Sequence, residues 1–327
     1  MKFNFKLTIK IVTVSTLVFL FQACSVKVPV NSPKASKNEF NKTNNLTKIN
    51  IEFRNNLGNN SEIGEGRLKD IFVIEHDNKK FDSYNFAKVN LQNELKARGI
   101  PMQFVDNSDN KLHLNNFKVL TYRSSSFSPL VTISTMQLEL KKDNKTKVFN
   151  AMVKRGKVPI WSIDEVFEPC YNQPTSLLIK EISAKINKEL FGYKLSDKKV
   201  DDLIKKIQKS IKNNNNPLVY LDVYELGFSN NPKGLNALIA FSNQSDEYVR
   251  LAAISGLGMI GGENEFTNLL TKYNNSKLWQ DRGMALKSIG DIGTKKTIKF
   301  LKEEKNRWQN TKSLEATWNL KIIDLYI

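Results

Sequence analysis

The chain has 327 residues, of which 40% are hydrophobic and 25% are charged, close to the average of soluble globular proteins. This composition excludes a polytopic membrane protein, a collagen-like chain and a wholly disordered chain. Lysine and arginine number 50 against 33 acidic residues, a formal net charge of +17, and there are only two histidines and two cysteines. A zinc site built from His and Cys is not expected, because it would use three or four such ligands.

The first 23 residues have the features of an export signal. Lys2, Lys6 and Lys10 form a basic stretch without acidic residues, and an apolar run over 11–21 follows. This run is too short to cross a hydrocarbon core, which needs about 20 residues. It fits the hydrophobic region of a signal peptide. The alternative is an ordinary N-terminal helix that happens to precede a cysteine.

The apolar run ends at Cys24, preceded by a small residue, and this junction resembles the lipobox of bacterial lipoproteins. Phe21 and Gln22 depart from the Leu and small residue that are usual there. The resemblance implies that Cys24 is the lipidation site, carrying diacylglycerol and palmitate-type acyl chains, and that 1–23 is a cleaved lipoprotein signal peptide. Ser25 follows in place of the Asp that retains lipoproteins in the inner membrane. The expected location is therefore the cell envelope, at the outer membrane facing the periplasm.

Residues 24–46 are rich in Pro, Ser, Asn and Lys and show no apolar period. A segment of this kind cannot bury enough surface to offset its chain entropy. We therefore predict a flexible tether, with an average reach of roughly 25 Å.

The basic residues are spread over both halves of the chain and do not form one stripe. A nucleic-acid partner is not expected, because such proteins show a clustered basic footprint. The remaining interpretations of the charge are contact with anionic lipid headgroups or acidic glycans, or an ordinary solvated surface.

Residues 47–194 predict one α+β domain, an antiparallel meander with two helices. A helix is indicated by apolar residues at helical spacing, and Gly99 lies where a C′ glycine belongs. The predicted elements are a strand at 71–74, a helix at 82–98, strands at 102–105, 112–122, 130–140 and 147–154, a turn at 143–145 and a helix at 176–190. Their order resembles the small domain of YajG-like lipoproteins and of ABC-transport auxiliary lipoproteins. That resemblance implies a periplasmic binding or scaffolding module without catalytic residues.

Residues 195–327 contain an internal repeat with a period of 31 to 32 residues. The motif of 246–261 returns at 278–293, and parts of it recur upstream and downstream. Equivalent pairs are Arg250 and Arg282, Ala253 and Ala285, Leu257 and Ile289, Gly258 and Gly290, and Gly261 and Gly293. The pattern resembles short HEAT-like repeats of the type named for phycobilisome lyases, which implies an all-α helical solenoid.

The repeat pattern also predicts individual positions. Leu257 and Ile289 are expected in the core, and Lys287 is expected on a polar face. The glycines of each repeat are expected to end its first helix, and Asp246 and Asp281 to cap a helix or pair with an arginine. Trp279, Trp308 and Trp318 are interpreted as core residues or, if exposed, as contact anchors.

The search for an active site gives little. His76 and His113 are far apart and lack metal-ligand spacing, and no GxSxG, Walker, HExxH or CxxC motif is present. Cys170 is interpreted as a buried, unreactive thiol, and Asp201-Asp202 and Glu303-Glu304 as solvated pairs. Catalytic residues, cofactors and metals are therefore not expected.

Two functions from different classes remain. The first is a non-catalytic, membrane-anchored scaffold whose HEAT-like solenoid binds another envelope protein. The second is a transport-accessory lipoprotein that binds a lipid or glycan in its α+β domain. An enzyme of the lyase type sometimes associated with such repeats is the least favoured.

Overall fold

The computed structural model describes residues 25–42, 47–58, 63–125 and 127–327. In these residues a mixed sheet region comes first and a helical region follows. The strands are β1 Val26–Pro29, β2 Ile49–Asn55, β3 Gly64–Glu65, β4 Phe72–His76, β5 Lys79–Lys80, β6 Met102–Val105, β7 Lys111–Tyr122, β8 Leu130–Lys142 and β9 Lys145–Lys157. The helices are α1 Ser83–Ala97, α2 Gln173–Leu190, α3 Asp197–Asn213, α4 Val219–Gly227, α5 Leu235–Phe241, α6 Glu247–Ile260, α7 Phe266–Asn275, α8 Trp279–Ile292, α9 Lys295–Gln309 and α10 Leu314–Asp324.

The larger sheet has the strand order β6-β2-β7-β8-β9, and β3 also pairs with β7. The predicted antiparallel meander is confirmed as β7, β8 and β9. Asp143 and Asn144 form the tight turn between β8 and β9, both with positive φ, as a two-residue hairpin requires. The strand β2, which lies parallel to both β6 and β7, was not predicted.

The helix α1 confirms the predicted helix at 82–98 and the predicted glycine at its end. The side chain of Asp82 accepts a hydrogen bond from the backbone N–H of Asn85 at 3.0 Å, which caps the first turn. Gly99 follows the helix with a φ of +72°, the left-handed conformation of a C′ glycine.

The prediction of a flexible tether is wrong for residues 25–42. β1 pairs in parallel with β4, and Val28 within it is 0% exposed. Further along, the N–H of Phe40 donates to the carbonyl of Arg98 at 3.0 Å, and the Phe40 side chain is buried. Val28, Val30 and Phe40 of this polar segment are buried, and the sequence analysis did not identify them as core residues. Residues 43–46 and Cys24 lie outside the described residues.

In the helical region, α6 and α8 are the first helices of the two clearest repeats and pack against each other. Leu257 and Ile289 are both fully buried, as predicted. Gly261 and Gly293 follow the ends of α6 and α8, as expected, but the expectation that Gly258 ends its helix is wrong. It lies inside α6, where a Cβ atom would come within 2.5 Å of the Ser288 carbonyl oxygen. The glycine therefore permits two helices to approach closely.

The prediction that Lys287 lies on a polar face is wrong. Its side chain is 0% exposed, with the ammonium 2.6 Å from Glu181 of α2 and 2.7 Å from Asp291. Lys185, also on α2, pairs with the same two carboxylates. This buried ion cluster joins the helix behind the sheet to the repeats.

A second buried contact crosses the boundary at 194/195. Arg98, at the end of α1, donates two hydrogen bonds of 2.6 Å to Glu225 of α4. Buried hydrophobic residues on both sides of the boundary also form one continuous cluster. We therefore expect 47–194 and 195–327, which the sequence divides into two domains, to unfold together.

Candidate functional site

The residues singled out by sequence do not come together at one centre. Cys24 lies outside the described residues. His76 Nδ1, at the end of β4, lies 2.7 Å from the carbonyl oxygen of Val30, the residue after β1, and this contact is structural. Burial and nearby cations lower the pKa of His113, which belongs to β7. In the part of the chain that the structure describes, no three His, Cys, Asp or Glu side chains cluster as metal ligands.

Cys170 is fully buried in a short π-helical turn before α2. Burial raises the pKa of its thiol to about 12, although Arg155 and Lys154 oppose the shift. The thiolate is the nucleophilic form of cysteine, so this side chain is unreactive near neutral pH. Its interpretation as a buried cysteine is confirmed, and the direction of its pKa shift is consistent with an unreactive thiol.

The site with the most distinctive chemistry is a cleft of about 370 Å³ between the meander and the helical region. We call it the aromatic cleft. Its apolar wall consists of Tyr122, Pro129, Val131, Tyr248, Trp279 and Trp318, and its polar wall of Ser124, Ser128, Lys154, Glu247 and Gln280. Depressions of about 450 and 540 Å³ elsewhere on the surface are lined mainly by polar and aliphatic side chains.

The helix starts of three repeats converge at the aromatic cleft. α6 begins at Glu247, α8 at Trp279 and α10 at Leu314, and all three residues line it. The helix α8 has no side-chain cap among the described residues, so its first N–H groups are left to other acceptors. The positive end of its dipole adds to a local preference for negative charge.

The aromatic rings are held in fixed positions. The centroids of Trp279 and Trp318 lie 4.2 Å apart at 41°, and Tyr122 meets Trp318 edge-on at 6.0 Å. Tyr248 donates a hydrogen bond to the Gly156 carbonyl, and the Arg155 guanidinium lies 3.6 Å from its ring centroid. The apolar wall is thus a preformed surface, because strands and helices fix each ring.

Lys154 is the buried cation of the aromatic cleft. Its ammonium pairs with Glu247 and lies 5.1 Å from the Trp279 ring centroid. Burial lowers the pKa of Lys154, while the Glu247 carboxylate opposes that shift. The charged pair beside the tryptophan rings gives this end of the cleft a strong local dipole.

Gln280 completes the polar wall. Its Nε2 donates to Glu247 at 3.3 Å, while its Oε1 is buried and lacks a hydrogen-bond partner among the described residues. An acceptor in this state favours a ligand that brings a hydroxyl or N–H donor. The cleft therefore offers an apolar surface, an ion pair and a spare acceptor.

Sequence reasoning found part of this site. Trp308 and Trp318 are buried, as the core interpretation predicts, whereas Trp279 is only half-buried. Trp279 and Trp318 both line the cleft. Lys154 and Glu247 were not singled out, because they lie 93 positions apart and look like ordinary surface charges. The sequence feature that pointed to this site was Trp279, a tryptophan at the first position of a repeat helix.

In comparisons with protein-family models, curated proteins and solved structures, nothing matched this chain. Of the helices described, none combines the length and the apolar character needed to cross a bilayer.

Proposed function

We propose that this protein is a non-catalytic, lipid-anchored accessory protein of the bacterial cell envelope that binds an amphiphilic ligand in the aromatic cleft. The observation that carries the proposal is the close Trp279–Trp318 pair beside the ion pair between buried Lys154 and half-buried Glu247. Small-molecule sites are typically concave and mostly apolar, with a few placed polar groups. The aromatic cleft has this composition.

The walls of the cleft specify the chemistry of the ligand. Rings and aliphatic side chains on one side suit an acyl chain or another flat apolar group. Lys154, the uncapped start of α8 and the free acceptor of Gln280 suit a polar end that carries negative charge and a donor. A membrane lipid or a lipid-linked precursor combines these two parts.

The envelope location rests on the sequence. The signal-like residues 1–23 and the lipobox at Cys24 support anchoring in a membrane leaflet, with the body in the periplasm. In this proposal the role is that of a transport-accessory protein that holds an amphiphile close to the membrane.

The test is binding of a fluorescent fatty acid, dansylundecanoic acid, to the chain without its first 24 residues. Energy transfer from tryptophan to dansyl reports occupation of the cleft. Trp279→Ala should weaken binding about tenfold, because one wall of stacked rings is lost. The matched control is Phe300→Ala, which removes a half-buried ring on α9 outside the cleft. Equal binding by the two variants would contradict the proposal.

The second candidate is a protein scaffold that acts through a HEAT-like solenoid. It is favoured by a ladder of ion pairs between successive repeats, Arg250 to Asp281 at 2.8 Å and Arg282 to Glu315 at 2.6 Å. The inner ends of the repeats contact the sheet, as when Gln137 donates to the Leu325 carbonyl at 3.0 Å. A partner would therefore have to use the outer helices.

The outer helix α9 carries a lysine-rich exposed face that would suit an acidic partner. Charge reversal at Lys299 and Lys302 should abolish capture of such an envelope protein, while Trp279→Ala should leave capture unchanged. The opposite pattern, with capture sensitive only to Trp279, would assign partner binding to the cleft.

A further inference from the structure

Two large apolar side chains project almost completely into solvent at one end of the larger sheet. Phe127 is 94% exposed and Trp161 is 84% exposed. Phe127 lies in the loop between β7 and β8, and Trp161 lies in the segment that follows β9. Because Tyr122 pairs with Val131 and Leu130 pairs with Lys157, both segments leave the meander at the same end.

The surroundings of these two side chains are amphipathic. Val158 and Ile163 are also exposed apolar residues and flank Trp161 along the chain. Arg123 and Lys157 lie at the bases of the two segments. Aromatic tips with basic residues behind them are the pattern found at membrane–water interfaces, where rings enter the headgroup region and cations meet phosphates.

The N-terminal strand enters the body at the same end. Val26, the first residue of β1, donates to the Ile71 carbonyl at 2.7 Å. Ile71 donates in turn to the Leu68 carbonyl at 3.1 Å, and Leu68 donates to the Thr121 carbonyl at 3.4 Å. Thr121 is the penultimate residue of β7, directly before the segment that carries Phe127.

This position limits where a lipid on Cys24 could be held. Two residues span at most about 7 Å of chain, so an anchor at Cys24 would lie within that distance of the start of β1. The body would then rest against the bilayer on the end that carries Phe127 and Trp161. Removal of 1–23 leaves a net charge of +14, which favours an anionic surface.

We propose that residues 123–125, 127–129 and 158–163 form a membrane-docking face whose aromatic tips, Phe127 and Trp161, enter the interfacial region of the lipid bilayer beside the anchor. This inference rests on the lipid anchor of the proposed function. A bilayer fits better than a protein partner, because the chain outside the described residues ends in the predicted lipid site at this same end of the body.

The docking face also gives the aromatic cleft an entrance. Ser124, Ser128 and Pro129 of the first segment and Val158 of the second line the cleft as well. An amphiphile can therefore pass from the bilayer to the Trp279–Trp318 wall without exposing its apolar part to water.

The test uses the lipidated full chain, purified in detergent and reconstituted into phosphatidylethanolamine and phosphatidylglycerol vesicles with brominated acyl chains. Bromine quenches tryptophan emission only at short range. The difference in emission between the wild type and Trp161→Phe gives the emission of Trp161. In brominated vesicles, most of this emission should be quenched. The control is Trp308→Phe, because Trp308 is buried between outer helices and its contribution should not change.

The anchor and the docking face have separate readouts. Full Trp161 emission in vesicle-bound protein would overturn the docking face and leave the anchor standing. Retention of the chain without residues 1–24 on vesicles at the level of the lipidated chain, with Trp161 quenched in both, would overturn the anchor and support docking by the tips alone. Release of the lipidated chain from the vesicles would overturn both.

Discussion

Replacing Lys287 with Met provides the most direct test of how the sheet region and the helical region are joined. The substitution keeps the volume and the apolar stem but removes a charge that is 0% exposed. The ammonium lies 2.6 Å from Glu181, 2.7 Å from Asp291 and 2.7 Å from the Ser255 hydroxyl. Burial lowers the pKa of Lys287, but the two carboxylates outweigh that effect and raise it. The lysine is therefore charged, and its loss leaves two buried carboxylates facing only Lys185.

The expected cost follows from the environment of the cluster. Removing one partner from a buried ion pair typically lowers the free energy of unfolding by about 3–5 kcal/mol, because an uncompensated charge remains. We expect Lys287→Met to fall in that range, as measured by urea unfolding followed by circular dichroism. Lys299→Ala is the control, since its side chain is 81% exposed and its nearest carboxylate is 3.9 Å away. It should cost less than about 0.5 kcal/mol.

A double variant separates charge balance from packing. Combining Lys287→Met with Asp291→Leu removes one charge of each sign and leaves Lys185 paired with Glu181. We expect the double variant to be at least about 2 kcal/mol more stable than the sum of the single effects predicts. Strict additivity, or a Lys287→Met cost no larger than that of Lys299→Ala, would refute the buried cluster as the joint between the two regions.

Two further predictions concern other contacts within the body. Gly258→Ala should destabilise the protein by about 1–3 kcal/mol in the same urea assay, because its Cβ would lie 2.5 Å from the Ser288 carbonyl oxygen. Gly283→Ala is the control and should be neutral or stabilising, because its Cβ would meet nothing closer than 3.4 Å. An equal loss of stability in the two variants would contradict the close approach of α6 and α8. Burial raises the pKa of Glu225, but Arg98 outweighs it and holds the pKa below the usual 4.5. The stability from this pair is present above the unfolded pKa and lost as the pH falls through the folded pKa. The difference in free energy of unfolding between wild type and Glu225→Gln should therefore decrease from about pH 5 to about pH 3. A difference that stays constant over this range would contradict the role of the Arg98–Glu225 pair.

The sequence was most informative where the interactions are local. The glycine after α1 and the turn at 143–145 each depend on residues within a few positions, and both were predicted. The burial of Leu257 and Ile289 also followed from the repeat, because equivalent positions of successive repeats have the same neighbours.

The features that were missed depend on contacts between distant residues. β1 is stabilised by β4, whose residues lie 46 positions later in the register. Lys287 appeared to be a surface residue of its helix, because its partner Glu181 is 106 positions away on α2. The aromatic cleft combines short pieces of strands, loops and three helix starts, and the pattern within any one of those pieces does not reveal it.

The pairing of β1 with β4 also has a consequence for the order of maturation. A signal peptidase needs an extended, accessible stretch of chain around its cleavage site, whereas β1 begins only two residues after Cys24. If Cys24 is the lipidation site, as the proposed function requires, residues 25–42 would join the body only after acyl transfer and cleavage. Until then, the edge of β4 that pairs with β1 would be exposed. Cleavage of the signal would thus have to precede the last step of folding. A precursor with an uncut signal should remain sensitive to protease near β4.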